Sequence, residues 1–304
     1  MNSAKSFDPA PSRKILLVDG HAYAYRAFYA IREMTGPDGA GTNGIFGFIR
    51  MIHRMVDFVN PTHVAVIWDG GLAPERLNLL PDYKADRPSM PPELDRQIEE
   101  MWGFLDASNI TSAFIPGIEA DDLIGTLTHQ AVRDGFSVVI ASSDKDFMQL
   151  VNDNVGLLNP TDKVPRIWGV AEVVEKSGVL PTQIVEWLSL IGDSVDNIPG
   201  VLGIGHKTAT ELLQKFGSIA GIFDGIDTVT GTKRRESLLG SKDILARNLE
   251  LIRLHTNLDS PVTLQECSRQ DENPTLLSEL YSRWGFRSLL NDLVIPPLEQ
   301  SVLF

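Results

Sequence analysis

One cysteine, Cys267, stands in 304 residues. A disulfide framework is thereby excluded and no thiolate zinc cluster can form, which fits a reducing cytoplasm. Long apolar runs are missing too: nothing reaches the roughly 18 residues of a membrane-spanning helix, and the opening MNSAKSFDPAPS lacks the apolar centre of a secretion signal. Basic residues are in the minority, 27 Lys and Arg against 40 Asp and Glu, for a formal net charge of −13. Taken whole, that balance argues against a nucleic-acid partner, because affinity for phosphate backbones comes from lysine and arginine. Internal repeats and low-complexity stretches are also absent. What remains is a chain with 43% hydrophobic content, enough to bury the core of one large domain or two modest ones. A soluble, cytoplasmic, monomeric protein with no membrane contact is expected.

Three β-rich apolar runs end on acid: KILLVDG with Asp19, HVAVIWDG with Asp69, and FSVVIASSDKD with Asp144 and Asp146. A fourth, TSAFIP, leads into GIEADDLIG and its Glu119, Asp121 and Asp122. Helical patterns such as GIFGFIRMIHRMVDFV and PPELDRQIEEMWGFLDA lie between them, so strands and helices alternate as in an α/β protein with a parallel sheet. Ligands of such sheets bind beyond the carboxyl ends of the strands, where four of these acidic segments would meet. The expected division is a loose tail over 1–12, an α/β domain over 13–175, a helical domain over 176–293 and a second tail over 294–304. Within the first domain, residues 72–92 are long, proline-bearing and basic, and read as a functional flap.

Nine acids end strands or open helices: Asp19, Asp69, Glu119, Asp121, Asp122, Asp144, Asp146, Asp193 and Asp196. Setting them aside leaves a net charge of about −4 for the rest of the molecule, so the objection to nucleic acid mostly dissolves. Acids in a first helical turn often only cap free N–H groups and complement the helix dipole. Coincidence across five segments is harder to explain that way. Like charges so crowded need cations among them, and with no histidine or cysteine ligand spacing the fitting ions are Mg²⁺ or Mn²⁺. Two such ions suit in-line displacement at phosphorus.

The stretches LLVDGHAYAYRAFYAI, TNGIFGFIRM, DYKADRPSMP, GIEADDLIG, SSDKDFMQLV, IGDSVDNIPGVLGIGHKTA and WGFRSLL resemble the 5′-nuclease domain of bacterial DNA polymerase I and its flap-endonuclease relatives, from about Lys14 to Leu293. That resemblance implies a PIN-like, mostly parallel sheet with flanking helices, followed by a helical domain carrying a helix-three-turn-helix. It implies a 5′-3′ exonuclease and flap endonuclease that hydrolyses phosphodiester bonds of branched, nicked or 5′-ended duplex DNA by a two-metal-ion mechanism. Carried over by position, Asp19, Asp69, Glu119 and Asp121 serve one metal, Asp144, Asp146, Asp193 and Asp196 the other, with Asp121 bridging. Arg26, Tyr83, Lys84 and Arg87 match positions meeting the scissile phosphate and 5′ strand; guanidinium and ammonium suit that charge, and Tyr83 suits a stacked base. Gly203, Gly205, Lys207 and Thr208 match the duplex-gripping turn, where backbone N–H groups hold a phosphate and carbonyls bind a monovalent cation such as K⁺.

Some positions depart from the family pattern. Val195 stands where a serine is usual, Leu202 and His206 where prolines are common, and Pro74 where an aromatic precedes Arg76. No metal ligand is lost, though the fine geometry of the turn is affected. Gln300, Leu303 and Phe304 resemble the short motif with which bacterial replication proteins dock onto the sliding clamp. The polymerase carries further domains beyond this point, so a stand-alone nuclease is expected here, with a portion of a longer polymerase as the alternative. Rival readings are a PIN-type ribonuclease, disfavoured by the GDSVDNIPGVLGIG stretch, and a non-catalytic binder of branched DNA, disfavoured by the full set of acids.

Overall fold

In the computed structural model, which describes residues 13–293, the run KILLVD becomes the central strand. It is apolar at every position from Ile15 to Val18 because it is covered on both faces: Ile15 and Leu17 point to one core, Leu16 and Val18 to the other. The chain runs β1 (Lys14–Asp19), α1 (Gly20–Ala30), α2 (Asn43–Val59), β2 (His63–Ile67), α3 (Pro74–Leu79), α4 (Pro92–Ala107), β3 (Thr111–Ala113), α5 (Ala120–Arg133) and β4 (Ser137–Ala141). A 3₁₀ turn (Lys145–Leu150), β5 (Val155–Leu158) and β6 (Ile167–Trp168) complete the sheet. Its order is β3-β2-β1-β4-β5-β6, parallel throughout except for antiparallel β6.

The alternation read from the sequence holds for the first four strands and for α2 and α4. β5 and β6 carried too little pattern to be read, since VGLL is short and glycine-broken and IW is only two residues. The chain steps outward from β1 to β2 and β3, then returns to the other side of β1 as β4. The crevice beyond the carboxyl ends of β1 and β4 is therefore the topological switch point, where open α/β sheets bind ligands.

After α6 (Val170–Ser177) comes a helical module: α7 (Ile184–Ile191), the two-residue strands β7 (Gly192–Asp193) and β8 (Ile198–Pro199), α8 (His206–Phe216), α9 (Ile219–Asp224), α10 (Thr232–Leu239) and α11 (Lys242–Ile252). Its apolar side joins the core beneath α5. The last helices, α12 (Pro274–Trp284) and α13 (Arg287–Asp292), return to the opposite face and pack with α2 and α4, where the rings of Phe46 and Phe286 meet edge to face at 5.1 Å. Among the described residues, no helix is long and apolar enough to cross a membrane.

Candidate metal centre and active site

Asp19 does two jobs at the end of β1. Its Oδ1 accepts the Ala22 N–H at 3.0 Å and so caps α1, while its Oδ2 accepts the Ser142 hydroxyl at 2.8 Å from the end of β4. Gly20 follows because a Cβ there would come within 2.6 Å of the Trp68 indole, so the turn from strand to helix closes only on glycine. Asp69, one residue beyond Trp68, accepts the Ala120 N–H at 2.9 Å and thereby fixes the start of α5. Asp144 accepts the Asp146 N–H at 2.9 Å and opens the 3₁₀ turn. Each acid is held by the local structure it terminates.

The loop GDSVDNIPG enters from the helical module. It is pinched at its base, where Gly192 pairs with Pro199 and sits at φ +76° with no room for a Cβ, which would lie 2.4 Å from the Gly200 nitrogen. Asp193 and Asp196 project from this pinch, and Asp193 accepts the Val195 N–H at 2.9 Å. Asp19, Asp69, Asp121, Asp144, Asp193 and Asp196 consequently line one cleft, together with Lys84, Arg87 and Lys145.

Crowding and burial act on protonation. Burial first, then the charges of Asp69 and Asp144, push the Asp19 carboxyl up to about 7. Asp121 is raised well above the carboxylate range by burial and by Asp144 and Asp19; Asp146 is raised likewise by burial, Asp144, Asp196 and Asp193. Asp144 is raised as well, again chiefly by burial. Glu119 goes the other way: burial pushes it up, but Lys84 and Arg76 beside it outweigh that and hold it below its ordinary range.

Residues 81–87 fold down onto the cleft, with the Lys84 N–H donating to the Asp196 carbonyl at 3.0 Å and the Asn197 amide to the Asp82 carbonyl at 3.0 Å. Lys84 adopts φ +55°, a left-handed conformation that a lysine holds only where its surroundings enforce it. Its ammonium pairs with Glu119 and lies 3.9 Å from Asp196; Arg87 pairs with Asp196, and Lys145 with Asp193 at 3.0 Å. Protein cations thus separate the acids. Among the described residues no three acidic, histidine or cysteine side chains form a closed ligand set as they stand.

Three sequence expectations are corrected. Asp122 is not in the cleft: both its oxygens accept from Arg76, at 2.7 and 2.8 Å, because the helical period turns it about 100° away from Asp121. Tyr83 offers no face to a base, being 4% exposed in the core with its hydroxyl donating to Glu119 at 3.2 Å. Arg26 lines a separate groove with Tyr23, Arg54 and Phe58 and is not among the residues lining the acidic cleft. Asp146 sits beneath the cleft, with its Oδ1 buried and unpartnered. Gly203, at φ +79°, Gly205 and Lys207 are exposed at the turn into α8, and Thr208 is half-buried. Gln300, Leu303 and Phe304 lie outside the described residues.

His21 and Ser142 were missed. His21 Nδ1 accepts the Asp69 N–H at 3.0 Å and its ring stands edge-on to Trp68, so it braces the second acid of the site; burial lowers its pKa. The signal was its place two residues after Asp19, and that of Ser142 two before Asp144.

Comparison with known proteins agrees with this architecture. The family described as the 5′-3′ exonuclease N-terminal, resolvase-like domain matches residues 14–178, and the 5′-3′ exonuclease C-terminal SAM fold matches residues 179–275. The chain therefore belongs to the 5′-3′ exonuclease family. It is 32% identical to a 5′-3′ exonuclease of Aquifex aeolicus over 92% of this chain and 95% of that one. It is 36% identical to DNA polymerase I of Bacillus subtilis over 92% of its length, and it spans about a third (32%) of that relative. In fold it is similar to T5 5′-exonuclease with bound zinc, at 23% identity, a TM-score of 0.67 and coverage of 92% and 96%. The catalytic core of Rad2 in complex with DNA substrate follows at 18% identity, a TM-score of 0.65 and coverage of 94% and 96%.

Proposed function

We propose that the chain is a structure-selective 5′-3′ exonuclease and flap endonuclease that hydrolyses phosphodiester bonds of branched, nicked or 5′-ended duplex DNA. The observation that carries this reading is the convergence of six carboxylates from four strand ends and the pinched loop on one switch-point cleft, with Lys84 and Arg87 beside them. The donor set fits hard divalent cations: every candidate ligand is a carboxylate oxygen, four of the acids are held protonated beyond their ordinary range, and Asp146 Oδ1 lacks a partner.

Asp19, Asp69, Glu119 and Asp121 would hold one Mg²⁺ or Mn²⁺, and Asp144, Asp146, Asp193 and Asp196 a second, with Asp121 between. When bound, such ions neutralise charge on the phosphodiester and acidify water. The residues of the chain do the rest. Lys84 and Arg87, freed from Glu119 and Asp196, donate to the phosphate and stabilise charge developing on its oxygens. The turn around Gly203, Gly205, Lys207 and Thr208 would hold backbone phosphates of the duplex at the start of α8, and its carbonyls would take a monovalent cation such as K⁺; backbone contacts select DNA structure rather than sequence. Gln300, Leu303 and Phe304 serve a sliding clamp, and removal of residues 300–304 should abolish capture by that clamp.

Incubation of labelled flap, nicked and single-stranded DNA, and of labelled RNA, with the protein, with and without Mg²⁺, tests the central reading. Metal-dependent cleavage of the branched and nicked substrates is expected. Intact DNA in every lane would leave a binder, and cleavage of RNA alone a ribonuclease.

A further inference from the structure

The correction at Asp122 opens a question of its own, since a fully buried Asp–Arg pair sits one helical position from the metal-site acids. Arg76, 4% exposed, spends its whole guanidinium inside the protein. Nη1 and Nη2 reach the two oxygens of Asp122, Nε donates to the Leu251 carbonyl at 3.0 Å, and Nη1 lies 3.3 Å from Glu119 Oε1. That last oxygen has no hydrogen-bond partner, so Arg76 acts on it through charge. Asp122 Oδ1 also accepts the His255 N–H at 2.9 Å. One ion pair therefore touches the base of the 72–92 segment, the first turn of α5, the buried carboxylate of Glu119 and the exit of α11.

One turn back from this exit, α11 is tied just as firmly. Asn248, one turn before Leu251, donates its amide to the carbonyls of Ser189 and Pro199 at 3.1 and 2.8 Å. Pro199 directly precedes the Gly200–Gly205 turn. Gln149, within the 3₁₀ turn that carries Asp146, also clasps the exit of α11, donating to Ile252 O at 3.0 Å and accepting from Leu254 N at 3.1 Å. A continuous set of buried and half-buried polar contacts thus runs from the glycine turn through α11 to Glu119 and to the turn bearing Asp144 and Asp146.

We propose that Arg76 and Asp122 are a positioning pair, which holds Glu119 against the cleft and locks the end of α11 so that the duplex-gripping turn and the cleft carboxylates keep one register. The pair touches no substrate. Its consequence for DNA cleavage rests on the function proposed above, whereas its consequence for metal binding does not.

Three variants test it: Arg76→Lys, Arg76→Met and the double variant Arg76→Met/Asp122→Leu. The single Met change strands a buried carboxylate and can fail to fold; the double variant removes both charges and keeps an apolar volume, so it carries the test in that event. Mn²⁺ binding without DNA is read by titration calorimetry, duplex affinity in Ca²⁺ by fluorescence anisotropy, and flap cleavage in Mg²⁺ under single turnover. The double variant is expected to melt cooperatively and bind duplex as the parent does, yet to bind Mn²⁺ about tenfold more weakly and cleave more slowly by about 10 to 100-fold. Arg76→Lys, which keeps the charge beside Glu119 but not the fork, should recover part of the Mn²⁺ affinity. A folded double variant with parental Mn²⁺ affinity and cleavage rate would reduce the pair to packing and overturn the proposal. If the parent protein cleaves no DNA, the functional reading falls instead, and the Mn²⁺ titration still decides the pair.

Discussion

Charge, not shape, separates the roles of neighbouring residues at the cleft. Asp121 and Asp122 are adjacent in sequence, yet one faces like charges and is forced toward its protonated form while the other is matched by an arginine. Asp121→Asn should therefore abolish cleavage while duplex affinity in Ca²⁺, measured by anisotropy, stays within a few fold; parallel loss of both would assign Asp121 to folding. Lys84→Ala and Arg87→Ala are expected to slow single-turnover cleavage far more than they weaken binding, because both cations sit on the acids themselves. Lys84→Ala should in addition tighten Mn²⁺ binding to Glu119 by removing a built-in competitor, which calorimetry reads directly. At this scale the sequence was most legible where a residue type has one chemistry. Strand-end aspartates were found by their position, but the direction of Tyr83 and Arg26 depended on which way a half-turn of chain folded, and no short pattern encodes that.

Secondary-structure elements position these groups by where they end. α8 begins on an exposed turn, with Gly203 in the left-handed region and Lys207 in the first helical turn. Lys207→Ala is expected to weaken duplex binding equally for all sequences and to lower the slope of log affinity against log salt by about 1. Fluorescence titrations at several salt concentrations measure both effects, and an unchanged slope would remove Lys207 from the interface. Gly192→Ala should destabilise the pinched loop by more than about 1 kcal/mol, since neither its φ of +76° nor the 2.4 Å approach to Gly200 admits a side chain. The alternation of β1, β2 and β4 with α2 and α4 was readable because each of these elements is long enough to show its period, and the three residues of β3 were found only within the longer apolar run TSAFIP. The two-residue strands were not, because two residues have no period to show.

Across the whole molecule, protonation and stability are linked. The folded state holds protons on Asp19, Asp121, Asp144 and Asp146 at pH values where the unfolded chain has released them. Stability from these groups is present at low pH and is lost as pH rises, over a window that for Asp19 runs from 3.8 to about 7. In EDTA the melting midpoint should fall across that window. Mg²⁺ should then raise it more at neutral than at acid pH, because the ion binds the deprotonated acids and only the folded chain gathers them. Calorimetric scans in EDTA and in Mg²⁺ give the comparison; a Mg²⁺ effect independent of pH would mean the carboxylates do not bind the ion.

The return of α12 and α13 to α2 and α4 has a consequence for how the chain is made. Leu277, Tyr281, Trp284, Phe286 and Leu289 cover apolar surface contributed by residues some two hundred positions earlier, such as Phe48 and Leu94. As the polypeptide leaves the ribosome, that surface waits for its cover until some two hundred further residues have been made. A nascent chain arrested before Pro274 is accordingly a natural client for chaperones, and a truncation there would be recovered from cells as insoluble material.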